Sequence, residues 1–102
     1  MQDRYADIKN HFRDADGVTV REGRGAQGIK ADSVMFAMFF KGDLLLRLPV
    51  ARVTELVDHG DGRPYDPGTG PMSDRVVVPY DKQSLWIALA EESQAYVSRR
   101  NT

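Results

Sequence analysis

Residues 34–48, VMFAMFFKGDLLLRL, decide the fold of this chain. Two runs of strand-forming and apolar residues, 34–40 and 44–48, flank the tripeptide Lys41-Gly42-Asp43. A short connection that contains glycine, placed between two such runs, is typical of a β-hairpin in which the glycine adopts a positive φ. The stretch therefore predicts two antiparallel strands that turn back at Gly42.

The register of this hairpin sorts its side chains onto two faces. If the turn has two residues, an odd-numbered position on the first strand faces an even-numbered position on the second. One face is then wholly apolar, and we expect it to carry the helices; its members are Met35, Ala37, Phe39, Leu44, Leu46 and Leu48. The other face is mostly apolar but contains a charge; its members are Phe36, Met38, Phe40, Leu45 and Arg47.

This second face is the candidate interface, made of Phe36, Met38, Phe40, Leu45 and Arg47 and rimmed by Lys41 and Asp43. Contiguous apolar patches usually mark binding sites, and aromatic residues, methionine and arginine are enriched at protein contacts. The expected occupant is a second copy of the chain or another protein. The alternative is that residues 60–73, rich in glycine and proline, fold over this face and make it part of the core.

The remaining sequence predicts helices on either side of further strands. Apolar spacing and turn signals predict helices at 2–15, 50–59 and about 82–97, and strands at 18–20, 29–31, 34–40, 44–48 and 75–78. Asp3 and Asp81 are expected near helix starts, and Gly60 is expected to end the second helix. Trp86 is expected in the core. The order predicts one α+β domain over residues 1–102, with two layers and an antiparallel sheet.

Bulk properties exclude several classes of protein. The 102 residues include no cysteine, so neither disulfides nor thiolate sites can form. The longest apolar run, residues 34–40, is far below the ~20 residues needed to span a membrane. The first residues lack the basic and apolar segments of a signal peptide. We therefore expect a cytoplasmic protein without a membrane partner.

A second hypothesis concerns nucleic acid. The net charge of −1 is unlike the strongly basic footprint of a dedicated nucleic-acid binder. Residues 17–48 nevertheless contain a modest basic stripe, formed by Arg21, Arg24, Lys30, Lys41 and Arg47. A transcriptional regulator that contacts phosphates through these residues is the alternative function.

The chemistry-bearing residues do not form a recognisable catalytic site. Gly23, Gly25 and Gly28 have the spacing of a dinucleotide-binding motif, but a β-rich run follows them where that motif requires a helix. His59 precedes a glycine at the end of a predicted helix, where a histidine interacts with the helix dipole. No serine lies in a nucleophile elbow. We expect no enzyme, cofactor, metal or small-molecule substrate.

The ordered series of short motifs from residue 28 to 96 resembles the amino-terminal domain of the TfoX (Sxy) competence-regulator family. The matching stretches are Gly28-Ile29-Lys30, Met35-Phe36-Ala37-Met38, Lys41-Gly42-Asp43-Leu44, residues 48–53, residues 55–57, Tyr65-Asp66-Pro67-Gly68, Met72, residues 76–79, Trp86, Leu89-Ala90 and Tyr96-Val97. The resemblance implies a YjbR-like, secretion-chaperone-like α+β fold and bacterial regulation through partners, with no catalytic residues to carry over. Residues 23–26 and Arg75 depart from the family pattern, which implies a divergent member.

Overall fold

The computed structural model describes residues 4–22, 27–31 and 34–100. Its elements are α1 (Ala6–Arg13), β1 (Val18–Arg21), β2 (Gly28–Ala31), β3 (Val34–Phe40), β4 (Asp43–Arg47), α2 (Val50–Asp58), β5 (Arg63–Tyr65), β6 (Met72–Val78), a 3₁₀ helix (Tyr80–Leu85) and α3 (Trp86–Arg100). The predicted α+β class with its antiparallel sheet is confirmed. Within these residues, no helix combines the length and apolarity that a membrane crossing requires.

The six strands form one sheet in the order β1-β2-β3-β4-β6-β5, and all neighbours are antiparallel. Between β3 and β4 the chain reverses through Lys41 (φ 51°) and Gly42 (φ 85°). Two consecutive positive φ angles define the turn whose twist matches a two-residue hairpin. The pairs Ala37–Leu46 and Phe39–Leu44 confirm the predicted odd-to-even register in this part of the hairpin.

All three helices pack on one face of the sheet, which we call the helical face. Their buried side chains include Phe12 on α1, Leu56 on α2 and Trp86 on α3, which share one core with the inward side chains of the strands. The sheet side of this core consists of Ile29, Ala31, Phe36, Ala37, Leu44, Leu46, Leu48, Val76 and Val78. The prediction that Trp86 lies in the core is confirmed; its indole Nε1 donates to the carbonyl of Val78 at 3.1 Å.

A β-bulge reverses the predicted positions of Met35 and Phe36. Ile29 on β2 pairs with Ala37, but the next residue, Lys30, pairs with Met35, so Phe36 is the extra residue of β3. In such a bulge the alternation of side chains is interrupted. Phe36 therefore joins Ala37 on the helical face, fully buried, with its ring 5.5 Å from that of Phe12. The placement of Phe36 on the second face was wrong, and Met35 lies there instead.

Ser93 on α3 stabilises the sheet at this bulge. Its hydroxyl oxygen lies 2.7 Å from the carbonyl oxygen of Phe36 and 2.5 Å from that of Arg47. A bulge interrupts the ladder of backbone hydrogen bonds, and buried carbonyl groups require a donor. The fully buried hydroxyl of Ser93 supplies that donor from the helical layer.

Charged side chains join α2 to α3 on the outside of the helical layer. The guanidinium of Arg52 donates to both carboxylate oxygens of Glu92, at 2.9 and 3.1 Å, and to Glu55 at 3.2 Å. The hydrogen bond to Glu92 is the main cause that raises the pKa of Arg52, and desolvation opposes it. This network holds the two helices together without involving the sheet.

Three smaller predictions need correction. The first helix begins at Ala6 rather than residue 2, and Asp3 lies outside the described residues. Residues 60–73 contain a strand, β5, which pairs with β6 at the sheet edge. Asp81 is not an N-cap, because it lies inside the 3₁₀ helix that precedes α3. Gly60 does end α2 with a positive φ of 77°, as predicted.

Candidate interaction surface

The sheet face opposite the helices, called here the open face, is defined by alternation along the strands. Ile29 and Ala31 on β2 point into the core, so Lys30 between them points away. The same reasoning applies to Arg47 on β4, which lies between Leu46 and Leu48. The described open face contains Thr19, Arg21, Lys30, Met35, Met38, Phe40, Leu45, Arg47, Arg63, Arg75 and Val77.

Two neighbouring rows of side chains cross the open face. Cross-strand pairing aligns Gly28 on β2, Met38 on β3, Leu45 on β4 and Val77 on β6. The apolar row consists of the three side chains on this line, Met38, Leu45 and Val77. Beside it, Lys30 pairs with Met35, and Arg47 pairs with Arg75. We call Lys30, Arg47 and Arg75 the basic row.

The two rows enclose a depression, the methionine groove, lined by Met35, Met38, Leu45, Arg47 and Arg75 among others. Its volume is about 360 Å³, at the small end of the range for ligand clefts. Leu45 is almost fully buried in it, with 3% exposure, while Met35 and Met38 are partly exposed. The apolar surface that these three side chains offer in the groove therefore comes mainly from Met35 and Met38, next to two guanidinium groups.

Gly28 is required beneath this groove. A Cβ atom at Gly28 would collide with the carbonyl oxygen of Ala37 and would come within 3.0 Å of the Met35 sulfur and the Met38 Cα. Gly28 also begins strand β2 and not a helix, so a helix amino terminus that would bind a pyrophosphate does not follow it. Its packing thus accounts for a glycine at this position; Gly23 and Gly25 lie outside the described residues.

A second groove lies at the hairpin end of the same face. Its volume is about 420 Å³, and Phe40, Arg63 and Tyr65 are among its lining residues. The ring of Tyr65 meets that of Phe40 edge-on at 5.6 Å, and the Lys41 ammonium lies 5.2 Å from the centre of the Phe40 ring. Phe40 is therefore covered on two sides by the chain itself.

Asp43, expected as part of the rim, serves the fold. One carboxylate oxygen accepts a hydrogen bond from the backbone N–H of Tyr80 at 2.8 Å, and the other accepts one from Arg63 at 2.9 Å. Its backbone carbonyl accepts a hydrogen bond from the Tyr5 hydroxyl at 2.8 Å. The negative charge of Asp43 is thereby compensated within the chain.

Four of the five predicted interface residues share the open face. Met38, Phe40, Leu45 and Arg47 lie there, and Phe36 does not. The alternative of a covering loop applies only to Phe40: residues 60–73 contribute Tyr65 beside it, but none of them lines the methionine groove.

The basic residues of the second hypothesis lie on the same face. Alternation places Arg21, Lys30 and Arg47 on the open face, and Lys41 lies in the hairpin turn. Arg24 lies outside the described residues. The structure thus brings the predicted apolar patch and most of the predicted basic stripe together.

Sequence reasoning missed five residues of the described open face: Thr19, Met35, Arg63, Arg75 and Val77. For Arg75 and Val77 a signal was present, since alternation from the buried positions 76 and 78 places both on the opposite face. For Met35 there was none, because the bulge depends on pairing with β2.

The two histidines contact groups of the chain itself. His59 Nδ1 lies 2.7 Å from the carbonyl oxygen of Glu55, within its own helix turn, and His11 Nε2 lies 3.5 Å from Glu91. Across the described ranges, no cluster of three or more metal-binding side chains occurs.

Comparisons of the chain with protein-family models, with curated proteins and with solved structures gave no match. The TfoX-like resemblance therefore stays a prediction.

Proposed function

We propose that this chain is a non-enzymatic protein-interaction domain that binds an acidic segment of a partner protein on the open face of its sheet. The observation that supports this most strongly is the apolar row of Met38, Leu45 and Val77, in which Met38 is partly exposed and Leu45 and Val77 are buried, beside the basic row of Lys30, Arg47 and Arg75. An antiparallel sheet that faces only water normally presents polar side chains there. Apolar side chains next to arginines are instead typical of protein contacts.

The charges on the open face favour a partner of opposite sign over a second copy. An isologous dimer brings the same patch of both subunits together. A face-to-face homodimer would therefore place both copies of Lys30, Arg47 and Arg75 in one interface. Asp43 and Asp74 pair with Arg63 and Arg75 within the chain. Cations outnumber acids among the described side chains of the open face, and an acidic protein segment has the opposite sign.

The same face is less suited to nucleic acid. Sheets that bind single strands stack bases on exposed aromatic rings. Here the central positions hold methionine and leucine, and the Phe40 ring is contacted by Tyr65 and Lys41. We therefore place the interaction with protein first and treat nucleic acid as an outcome of the test.

The TfoX-like resemblance adds to the proposal from the sequence. It implies a regulatory domain that acts through partners and has no catalytic residues of its own. We include such a bacterial, cytoplasmic regulatory role in the proposal.

The test is a selection of short random peptides, displayed on phage, against the immobilised protein. Peptides that bind the open face should lose at least about tenfold in affinity for Met38→Asp and for the milder Met38→Gln. The matched control is Val50→Asp, because Val50 on α2 is an apolar side chain with 52% exposure in the helical layer. Circular dichroism checks that all variants fold. If all selected peptides bind Met38→Asp and Met38→Gln as tightly as they bind the unchanged protein, the proposal is contradicted.

Two further measurements separate the other occupants. Sedimentation velocity should show a monomer; a dimer that Met38→Asp dissociates would identify a second copy as the occupant and overturn the proposal. Fluorescence anisotropy with a labelled single-stranded oligonucleotide at low salt should show no binding. Binding that falls steeply with salt and with Arg47→Gln would favour the nucleic-acid alternative.

A further inference from the structure

We infer that the outer edge of β1 is a second binding site, which takes an extended segment of a partner protein as an additional antiparallel strand. In this segment acidic and apolar residues alternate. The inference goes beyond the proposed function, because it concerns the backbone of an outer strand of the sheet and not the side chains of the methionine groove.

The hydrogen bonds of β2 show which backbone groups of β1 are used inside the sheet. Directly before β2, the carbonyl oxygen of Gln27 accepts a hydrogen bond from a backbone N–H of β3 at 3.0 Å, so the backbone of Gln27 points toward β3. Backbone direction alternates along a strand, so Gly28 and Lys30 point toward β1. Their partners on β1, Arg21 and Thr19, therefore supply the hydrogen bonds between the two strands.

Val18 and Val20 consequently direct their backbone groups to the outer edge. Val18 supports this independently, because its N–H donates to the carbonyl oxygen of Ala15 at 3.3 Å, in the turn before the strand. The turn and loop hydrogen bonds of residues 4–22, 27–31 and 34–100 involve neither the carbonyl of Val18 nor the backbone of Val20. A strand added at this edge can pair with these three groups.

The opposite edge of the sheet is less suited to a further strand. β5 has three residues, includes Pro64, and pairs with β6 through a register shift between Pro64 and Tyr65. Short strands, proline and irregular pairing protect sheet edges from further pairing. β1 contains no proline and pairs with β2 in regular register over its four residues.

The charges beside the β1 edge favour an acidic strand. Arg21 is exposed, and Lys30 is partly exposed opposite Thr19; both cations lie on the open face. Among the described residues, no ion pair or side-chain hydrogen bond involves either of them. Acidic side chains opposite Thr19 and Arg21 would lie beside these cations, and opposite charges on neighbouring strands stabilise a sheet.

The other side of the added strand meets apolar surface. Val18 and Val20 are partly buried and pack against the core on the helical face. Apolar residues at alternate positions of the added strand would extend this core at its edge. The expected segment therefore has one acidic and one apolar side.

The same charges disfavour a second copy as the occupant. Two β1 strands paired around a twofold axis would bring both copies of Arg21 and Lys30 together. Glu22, the next residue after β1, pairs with Lys9 at 2.9 Å within its own chain.

The experiment measures binding of a short fluorescein-labelled peptide, in which glutamate and valine alternate, by fluorescence anisotropy at low salt. We expect binding, because the peptide supplies both the backbone groups and the charges. The control peptide has the same composition, but its glutamates are consecutive and cannot all lie on one side of a strand. Absence of binding, or equal binding of the two peptides, overturns the inference.

Methylation of the peptide nitrogens tests the mode of binding. Opposite Val18 and Val20, the valines of the added strand direct their N–H groups to β1, and the glutamates direct theirs outward. Methylation of the valine nitrogens should therefore weaken binding at least about tenfold, and methylation of the glutamate nitrogens less than about twofold. Equal effects of the two modifications would contradict strand addition.

Variants of the protein test the charges. Arg21→Gln and Lys30→Gln should each weaken binding about two- to fivefold at low salt. The matched control is Arg63→Gln, which removes a cation of the same face at the other edge strand, and it should alter affinity less than about twofold. Equal losses in all three variants would indicate a response to net charge alone and overturn the β1 site.

The inference and the proposed function fail in different ways. The alternating peptide should bind Met38→Gln as tightly as the unchanged protein. If Met38→Gln abolishes its binding and Arg21→Gln has no effect, the edge site is overturned and the proposed function stands. If the peptides selected on the open face do not depend on Met38, the proposed function is overturned and the edge site stands.

Discussion

The two faces of this sheet come from the same strands but differ in what completes them. On the helical face, Phe36, Leu44 and Leu46 are fully buried against α1 and α3. On the open face, their neighbours Met38 and Arg47 stay partly exposed in a groove that the helices leave uncovered. The helices complete the first face, whereas on the second face Leu45 and Val77 are buried among neighbouring side chains and Met38 stays partly exposed.

Because of this difference, neighbouring residues of a single strand contribute to different properties: stability on the helical face and recognition on the open face. Along β4, Leu44 and Leu46 contribute to the core, while Leu45 and Arg47 line the grooves on the other side. Substitutions at inward positions should therefore lower the free energy of unfolding, and substitutions at the partly exposed outward positions Met38 and Arg47 should affect binding.

The largest effect should distinguish Phe36 from its neighbour Met35. Phe36→Ala removes a fully buried ring and should lower the free energy of unfolding by about 3–5 kcal/mol. Met35→Ala, on the open face, should cost less than about 1 kcal/mol. Urea denaturation measures both values. Without the bulge Met35 would be the buried residue, and Met35→Ala would cost more than Phe36→Ala. Equal costs, or a larger cost for Met35→Ala, would therefore contradict the assignment of Phe36 to the helical face and Met35 to the open face.

A medium effect is expected at Ser93, which connects the helical layer to the bulge. Ser93→Ala removes the hydroxyl that contacts the carbonyls of Phe36 and Arg47, and should cost about 1–3 kcal/mol. Ser73→Ala, on the exposed part of β6, is the matched control and should be close to neutral. Hydrogen exchange should show faster opening of β3 and β4 in the first variant only.

The smallest effect on stability should come from the basic row. Arg75→Gln removes one of two opposed like charges but also the ion pair with Asp74, so the free energy of unfolding should change by less than about 0.5 kcal/mol. Thermal unfolding measures this change, with Val76→Ala on the helical face as the destabilising control. A loss as large as that of Val76→Ala would mean that the arginine pair serves the fold.

Much of this arrangement was predictable from local patterns. The Lys41-Gly42-Asp43 turn predicted the hairpin, and the observed pairs from Ala37–Leu46 to Phe40–Asp43 have the predicted parity. A turn determines register only over the strand positions that follow it without interruption. The bulge at Phe36 and strand β5 depend on how β3 pairs with β2 and how β5 pairs with β6, and no local pattern indicates these pairings.

The sequence by itself determined the α+β class, the turn at Gly42, the core position of Trp86 and the existence of a mostly apolar second face, because side-chain periodicity and turn chemistry are local properties. Only the tertiary structure decided which side chains form that face. Pairing of β3 with β2 moved Phe36 inward and Met35 outward, and pairing of β4 with β6 placed Arg75 opposite Arg47. Both outcomes depend on contacts between strands that the chain order does not specify.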